Sequence, residues 1–405
     1  MKNLINIACF FIPIPSVRRQ TRRALKNKWD KYTNNPMMVI KHLNRKPIIL
    51  WIDHALGGGT EVYSKHQFKI LRHKYDIIRM QYFPATELYH ITHTRNKNWR
   101  FKTNSLDDIY QFCCGINICE IVVNNIVAYK SATDILDFVK KLKQNAIPKP
   151  CVSFRGHDFH CICPSFNLIN CDGNYCALKY DGGCEKCWRQ KKLAADPISH
   201  NILKSGATDV CTWRTAWGNF LENTADSVIV FSKKIAELFI YAYPQIKNKV
   251  QVIPHTVREY KTVKIKPHNE INIAVLGTIS QVKGANVIRD MAQHLPDGTS
   301  IKIIGTMKNK PDNIFVYGKY KAHNLPRIMQ KHKIDLVFIP SVWPETFSYT
   351  TSEAMSMGLP VACYDMGAPA ERISKYSRGL ILNKISPKEN LIEIIKFIKK
   401  QRQQL

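Results

Sequence analysis

No stretch of this 405-residue chain is long and apolar enough to span a bilayer. The best candidate, Leu4 to Pro15, is short and is broken by Pro13 and Pro15. It lacks a convincing cleavage site, and basic residues follow rather than precede it, so it does not read as a signal peptide. Acidic residues are scarce: 31 Asp+Glu stand against 60 Lys+Arg, a formal net charge of +29. Such an excess favours acidic partners, which include nucleic acid, an anionic membrane face and phosphorylated or acidic substrates. Helix-turn-helix and finger spacings are missing, which counts against nucleic acid. At 45% hydrophobic residues, the chain has enough apolar surface to exclude disorder. Thirteen cysteines make an odd number, and six of them fall in one segment. With no export signal, reduced thiols or a metal site fit better than a disulfide framework. The expected setting is cytoplasmic, with the chain peripheral at the inner face of the cell membrane.

The length suits two or three domains, each with its own core. Residues 1–45 read as a basic arm, in which Val17 to Trp29 interleaves cations with Leu25 and Trp29. An arm of that kind either lies on an anionic membrane surface or packs as an ordinary basic helix. A first Rossmann-like unit is expected over 46–257. It opens with the buried strand Pro47–Asp53, then a loop holding Gly57, Gly58 and Gly59, then a helical pattern through Ile70 and Leu71. Glycines let backbone approach a phosphate, although this loop is neither a dinucleotide fingerprint nor a P-loop. Strands at Asp76–Met80, Glu120–Asn125 and Pro150–Phe154 alternate with helical spacing, which predicts a parallel sheet covered on both faces. The last of these strands ends in Arg155-Gly-His-Asp158, and ligands gather at such strand ends. His157 there is either functional or a histidine satisfied by nearby backbone.

Residues 159–190 read as a cysteine-rich insertion holding Cys161, Cys163, Cys171, Cys176, Cys184 and Cys187. Cys184 and Cys187 have the spacing that grips one tetrahedral ion. The leading quartet for a structural zinc is Cys163, Cys176, Cys184 and Cys187. Cys161 or Cys171 could substitute, and His157 or His160 could complete a mixed set; free thiols or disulfides are the plainer reading.

A charged linker, 258–270, leads to a second Rossmann-like unit over 271–385 and a final amphipathic helix in 386–405. The second unit opens with the strand Ile271–Leu276, then a loop ending Lys283-Gly284. Its densest block is 339–361. An apolar strand, Asp335–Ile339, enters it; Glu345 precedes a hydroxyl-rich turn, and a short helix carries Glu353 and stops at Gly358. The free N–H groups near Phe347, Ser348 and Tyr349 would point at an anion held between the two carboxylates.

The pair Glu345 and Glu353, with seven residues between them in this context, resembles the E-x7-E signature of retaining GT-B glycosyltransferases, most like glycosyltransferase family four. Gly57–Gly59 match that family's Gly-Gly-x-Glu loop, His157 its strand-end histidine, and Lys283 its diphosphate-clamping lysine. A subset of bacterial members that build surface polysaccharide looks similar around the cysteines. The resemblance implies two Rossmann-like domains facing across a cleft, with the last helix folding back onto the first domain. It implies transfer of a sugar, with retention, from a nucleotide-diphosphate sugar to a glycan or lipid-linked acceptor, as in lipopolysaccharide, O-antigen or capsule synthesis. No catalytic metal is expected, because Lys283 and the helix start supply the positive charge. Glu345 and His157 would act at the transferred sugar, and Glu353 would accept the ribose hydroxyls. Where the family often has an arginine, this chain has Thr278, and Arg155 is one candidate to replace it. The rival reading is a zinc-containing nucleic-acid-binding protein.

Overall fold

The computed structural model describes residues 9–10, 17–18, 20–22, 24–25, 35–41, 43, 46–95, 99–178, 183–190 and 209–403. Most of the basic arm expected over 1–45 lies outside them, as does 191–208. The fold is α/β, with two sheets of mostly parallel strands. The described chain divides into two compact units: residues up to Arg155 together with Asn223–Asp226, and the rest from Gly156 onward.

In the first unit, α1 (Pro36–Ile40) precedes β1 (Ile48–His54), and α2 (Gly58–Leu71) follows it. Next come β2 (Asp76–Phe83), β3 (Leu88–His93), β4 (Arg100–Thr103), α3 (Leu106–Cys114), β5 (Ile118–Val123), α4 (Ala132–Asn145) and β6 (Cys151–Arg155). The strand order is β4-β3-β2-β1-β5-β6. All seven residues of β1 are buried, as expected of a strand covered on both faces. Its apolar run could not lie at an edge without exposing Ile49, Leu50 and Ile52, each worth about 1.5–3 kcal/mol of burial. Ser105 and Ser131 cap α3 and α4, each cap contributing about 1 kcal/mol.

The parallel sheet expected from the alternation holds only for β1, β2, β5 and β6. β2, β3 and β4 form an antiparallel ribbon instead. The link from Phe83 to Leu88 is too short for a crossover helix, so the chain must turn straight back. Alternation along the ribbon puts Met80, Tyr82, Tyr89, Ile91 and Phe101 inside. Arg79, Gln81, His90 and Thr92 lie on the other face.

The second unit contains α5 (Gly183–Gln190), α6 (Val210–Asn223, apart from its last residue), and the parallel pair β7 (Ser227–Val230) and β8 (Val250–Val252), with α7 (Lys233–Ala242) between them. Then follow β9 (Ile271–Ile279), α8 (Ala285–Ala292), β10 (Thr299–Met307), β11 (Phe315–Val316), α9 (Leu325–Lys331) and β12 (Leu336–Ile339). The chain continues through α10 (Tyr349–Ser356), β13 (Val361–Tyr364), α11 (Gly367–Ile373), β14 (Gly379–Leu382) and α12 (Pro387–Gln403). The sheet order is β11-β10-β9-β12-β13-β14, and every pairing in it is parallel.

Successive residues of these strands feed opposite cores. Ile273, Val275, Phe338 and Ala362 pack with α8 and α12 on one face. Ala274, Leu276, Val337, Ile339 and Cys363 pack with α9, α10 and α11 on the other. This is the doubly wound arrangement, and its strand order reverses between β9 and β12. α12 packs against α8 and β14. Near its end, Arg402 donates to Asp335 (2.7 Å) ahead of β12. Among the described residues no helix is long and apolar enough to cross a membrane.

Candidate functional site

At a reversal in strand order, loops from neighbouring strands diverge and leave a crevice beyond the carboxyl ends. The loops after β9 and β12 are those two, and they carry Lys283 and Glu345. Their backbones touch at Gly284, where φ is +82° and an added Cβ would lie 2.1 Å from the Pro340 carbonyl oxygen. Only glycine fits there, which fixes Lys283 beside the end of β12.

Lys283 Nζ donates to Glu345 Oε1 at 3.0 Å. The Ser341 hydroxyl donates to the same oxygen. Glu345 is 3% exposed, whereas the Lys283 side chain is 39% exposed. The carboxylate is therefore oriented from within, while the ammonium reaches open space. Ala368 N–H, at the start of α11, donates to the Glu345 carbonyl (2.9 Å) and holds the loop from the other side.

α10 begins at Ser348, whose hydroxyl accepts from Thr351 N–H at 3.4 Å. That cap takes one of the first-turn donors, and the others remain for an anion. One turn on stands Glu353, with Tyr260 Oη at 3.5 Å. Burial pushes its carboxyl above the ordinary range, while the Tyr260 hydroxyl and Arg258 pull it back. Tyr320 lies close enough that burial, then Glu353 and Tyr260, hold its phenol strongly protonated. A half-buried carboxylate between two tyrosines is a hydroxyl-reading group.

His157 belongs to the same unit. Its backbone carbonyl accepts from Thr346 Oγ1 at 2.6 Å. Its ring lies 4.6 Å from that of Phe231 and 5.4 Å from that of His255. His255 stacks on Phe347 at 4.1 Å. Arg372 of α11 lies over the same Phe347, 3.9 Å from the ring centre, and burial lowers its guanidinium to about 10. The structure thus brings His157, Lys283, Glu345, Phe347, Ser348, Tyr349 and Glu353 into one unit.

Residues 256–405 match the family model of glycosyl transferases group 1. The matched segment carries every feature just described except His157, Phe231 and His255. The fold is similar to that of Anabaena Alr3699/HepE in complex with UDP-glucose, with a TM-score of 0.56 and 15% identity over 88% of this chain and 90% of that one. It is also similar to sucrose-phosphate synthase (tll1590) from Thermosynechococcus elongatus, with a TM-score of 0.57 and 13% identity over 88% of this chain and 90% of that one. The lipopolysaccharide outer core galactosyltransferase WaaB in its apo form matches with a TM-score of 0.53 and 12% identity, over 87% and 91%. No curated protein sequence matches. These likenesses carry the fold, which is that of the GT-B glycosyltransferases.

Sequence reasoning missed Tyr260 and Arg372. Nothing in the sequence says that Arg372 stacks on Phe347. Gly57 and Gly58 lie in the first unit with φ of +82° and +74°, and an added Cβ would meet nothing within 4 Å. They are needed for the backbone turn, and Gly59 is already inside α2. Arg155, the candidate replacement for the family arginine, is engaged in the first unit with Tyr63 Oη (3.3 Å) and Glu120 (3.9 Å).

None of the thirteen cysteines is in a disulfide. Among the described residues no group of three or more His, Cys, Asp or Glu side chains has a metal-holding arrangement. Burial raises the thiol of Cys176, the backbone at Leu178 opposes this, and Cys163 and Cys184 add smaller upward pushes. His160 is buried, held neutral at about 3, and its ring packs on Trp213 at 4.8 Å. The described part of the insertion is held by hydrogen bonds from the helices beside it. Trp213 Nε1 donates to the His160 carbonyl (2.7 Å), and Arg214 Nε donates to the Ile162 carbonyl (2.9 Å). Arg214 also reaches Cys184 Sγ at 3.4 Å.

Proposed function

We propose that this chain is a retaining glycosyltransferase that moves a sugar from a nucleoside-diphosphate sugar to a glycan or lipid-linked acceptor, in bacterial surface-polysaccharide synthesis. The observation that carries the reading is the pairing of Lys283 with buried Glu345 at the strand-order reversal, one helix start away from Glu353. One solved protein of this fold, Anabaena Alr3699/HepE, holds UDP and UDP-glucose, which supports a nucleotide-sugar donor.

The step must stabilise a departing diphosphate and a sugar with oxocarbenium character. Lys283 and the N–H groups at the start of α10 neutralise the leaving group. Arg372 adds a second cation at this end of the sheet, in the role left open by Thr278. Glu353 accepts the two ribose hydroxyls, and the Tyr320 loop borders the base. Glu345, oriented by Ser341, faces the transferred sugar, and His157 contacts its hydroxyls. None of these roles uses a metal. The zinc proposal rests on the Cys184–Cys187 spacing; it concerns folding of the insertion alone.

The test is a thermal-shift screen against uridine, guanosine, cytidine and thymidine diphosphates and their sugars, followed by NMR of the product anomer. Stabilisation by one nucleoside diphosphate and product of the donor's own anomeric configuration support the reading. Stabilisation by none of them, or inversion, refutes it.

A further inference from the structure

A cavity of about 890 Å³ in the first unit is lined by none of the site residues assigned above. Its floor is the polar face of the β2–β4 ribbon, and its wall is the flank of α2. Antiparallel strands can leave one face solvated, and here that face is strongly basic. Seven cations line the cavity against the single carboxylate of Glu61. Lys65, Lys69 and Arg72 come from α2; Arg79, Arg95 and Arg100 come from the ribbon and its edge; Lys46 stands at the foot of β1.

Part of this charge is spent internally. Arg79 bonds Asp53 and Glu61, Lys65 lies 3.4 Å from Glu61, and Arg95 lies 3.8 Å from Asp76. Even so, the local potential is strong enough to be felt by a neighbour. His90 is lowered to about 4, first by burial and then by Lys102 and Arg100. It is therefore a neutral donor and acceptor at working pH. Gln81, Thr92 and Thr94 add uncharged polar groups beside it. The Nε of Arg79 is buried and has no hydrogen-bond partner.

The Phe68, Phe83 and His90 rings of the cavity are already engaged. Phe83 stacks on His90 at 4.0 Å, and Phe68 lies edge-on to Trp51 with Arg79 across its ring. These three rings are therefore not open platforms for a stacked base, the usual device of single-strand binding. The volume is that of a small-ligand pocket, and a concave wall does not match a flat bilayer.

We propose that this cavity binds an acidic oligosaccharide, through carboxylate or phosphate groups read by the α2 and ribbon cations and hydroxyls read by His90, Gln81 and the threonines. Its identity as acceptor rests on the glycosyltransferase reading; the binding itself does not. It is measured without donor, so its failure leaves the donor test untouched.

The experiment is a calorimetric titration of the full chain with trigalacturonate, maltotriose and inorganic pyrophosphate, with sedimentation against phosphatidylglycerol vesicles alongside. Trigalacturonate should bind with an affinity that falls as salt rises, while maltotriose should not bind. The exposed pair Lys65→Gln/Lys69→Gln should weaken it at least tenfold with an unchanged Tm, and Arg72→Gln provides a second, independent loss. The proposal is overturned if trigalacturonate fails to bind, if the variants bind it as the wild type does, or if pyrophosphate binds as tightly. Tighter binding of a single-stranded oligonucleotide, or of vesicles alone, through the same cations would also overturn it.

Discussion

Each unit has a cation set against a carboxylate beside a helix start, and the two centres differ in where their spare bonding points. In the first, Arg79 is buried between Asp53 and Glu61, and Asp53 also accepts from Ser64 (2.7 Å). Ser64 in turn accepts from Trp51 Nε1 and from Asn124. Strand, helix and ribbon are tied by one network whose partners are protein groups. In the second, Glu345 is buried but its cation Lys283 is well exposed, and the adjoining helix start keeps first-turn N–H groups for an anion. A glycine loop before a helix marks both places in the sequence. What separates a brace from a binding site is whether the charge is consumed inside.

The sharpest way to break that contrast is Glu345→Gln. If the second centre is catalytic, transfer or donor hydrolysis should fall by a factor of about 10³ or more, roughly 4 kcal/mol of barrier, with Tm nearly unchanged. A retained rate would make Glu345 a brace like Asp53. Arg79→Met tests the other side: removing one partner of a buried network leaves carboxylates uncompensated, at about 3–5 kcal/mol. Urea unfolding should report that loss, while nucleotide affinity of the folded protein should hold. Lys283→Ala should weaken nucleoside-diphosphate binding by about 10–100-fold, the size of a charge-assisted contact, and leave binding of the free nucleoside alone.

Much of this was legible in the sequence where a pattern maps onto one chemical need. The apolar run at 335–339, the glutamates eight positions apart and the Lys-Gly loop each fell at the end of a strand that exists. The ribbon was not legible: Leu88–His93 and Arg100–Thr103 mix polar and apolar residues, and only the short return after Phe83 forces antiparallel pairing. Nor was the stack of His255, Phe347 and Arg372, because rings as far apart in the chain as His255 and Phe347 meet only through the fold. The cysteine spacing predicted zinc, yet side-chain hydrogen bonds from Trp213 and Arg214 already anchor the described part of that segment.

The smallest expected effect concerns Glu353. Its carboxyl is raised by burial in the folded chain, so the folded state holds the proton more tightly than the unfolded one. That contribution is fully present below the unfolded pKa and is lost as pH rises through the folded pKa. At neutral pH the charged group is thus a cost of folding without ligand. Glu353→Gln should raise the Tm of the ligand-free protein slightly at neutral pH, and the gain should vanish below about pH 4. An unchanged difference across that range would show that the carboxylate is not desolvated.

The most direct test of the central claim is calorimetric titration of the four nucleoside diphosphates into the wild type, Lys283→Ala and Glu353→Ala. If the second unit holds the donor as argued, one diphosphate binds the wild type at micromolar concentration, and each variant loses at least tenfold. If none binds, or if both variants bind as the wild type does, the donor site is not where Lys283, Glu345 and Glu353 meet.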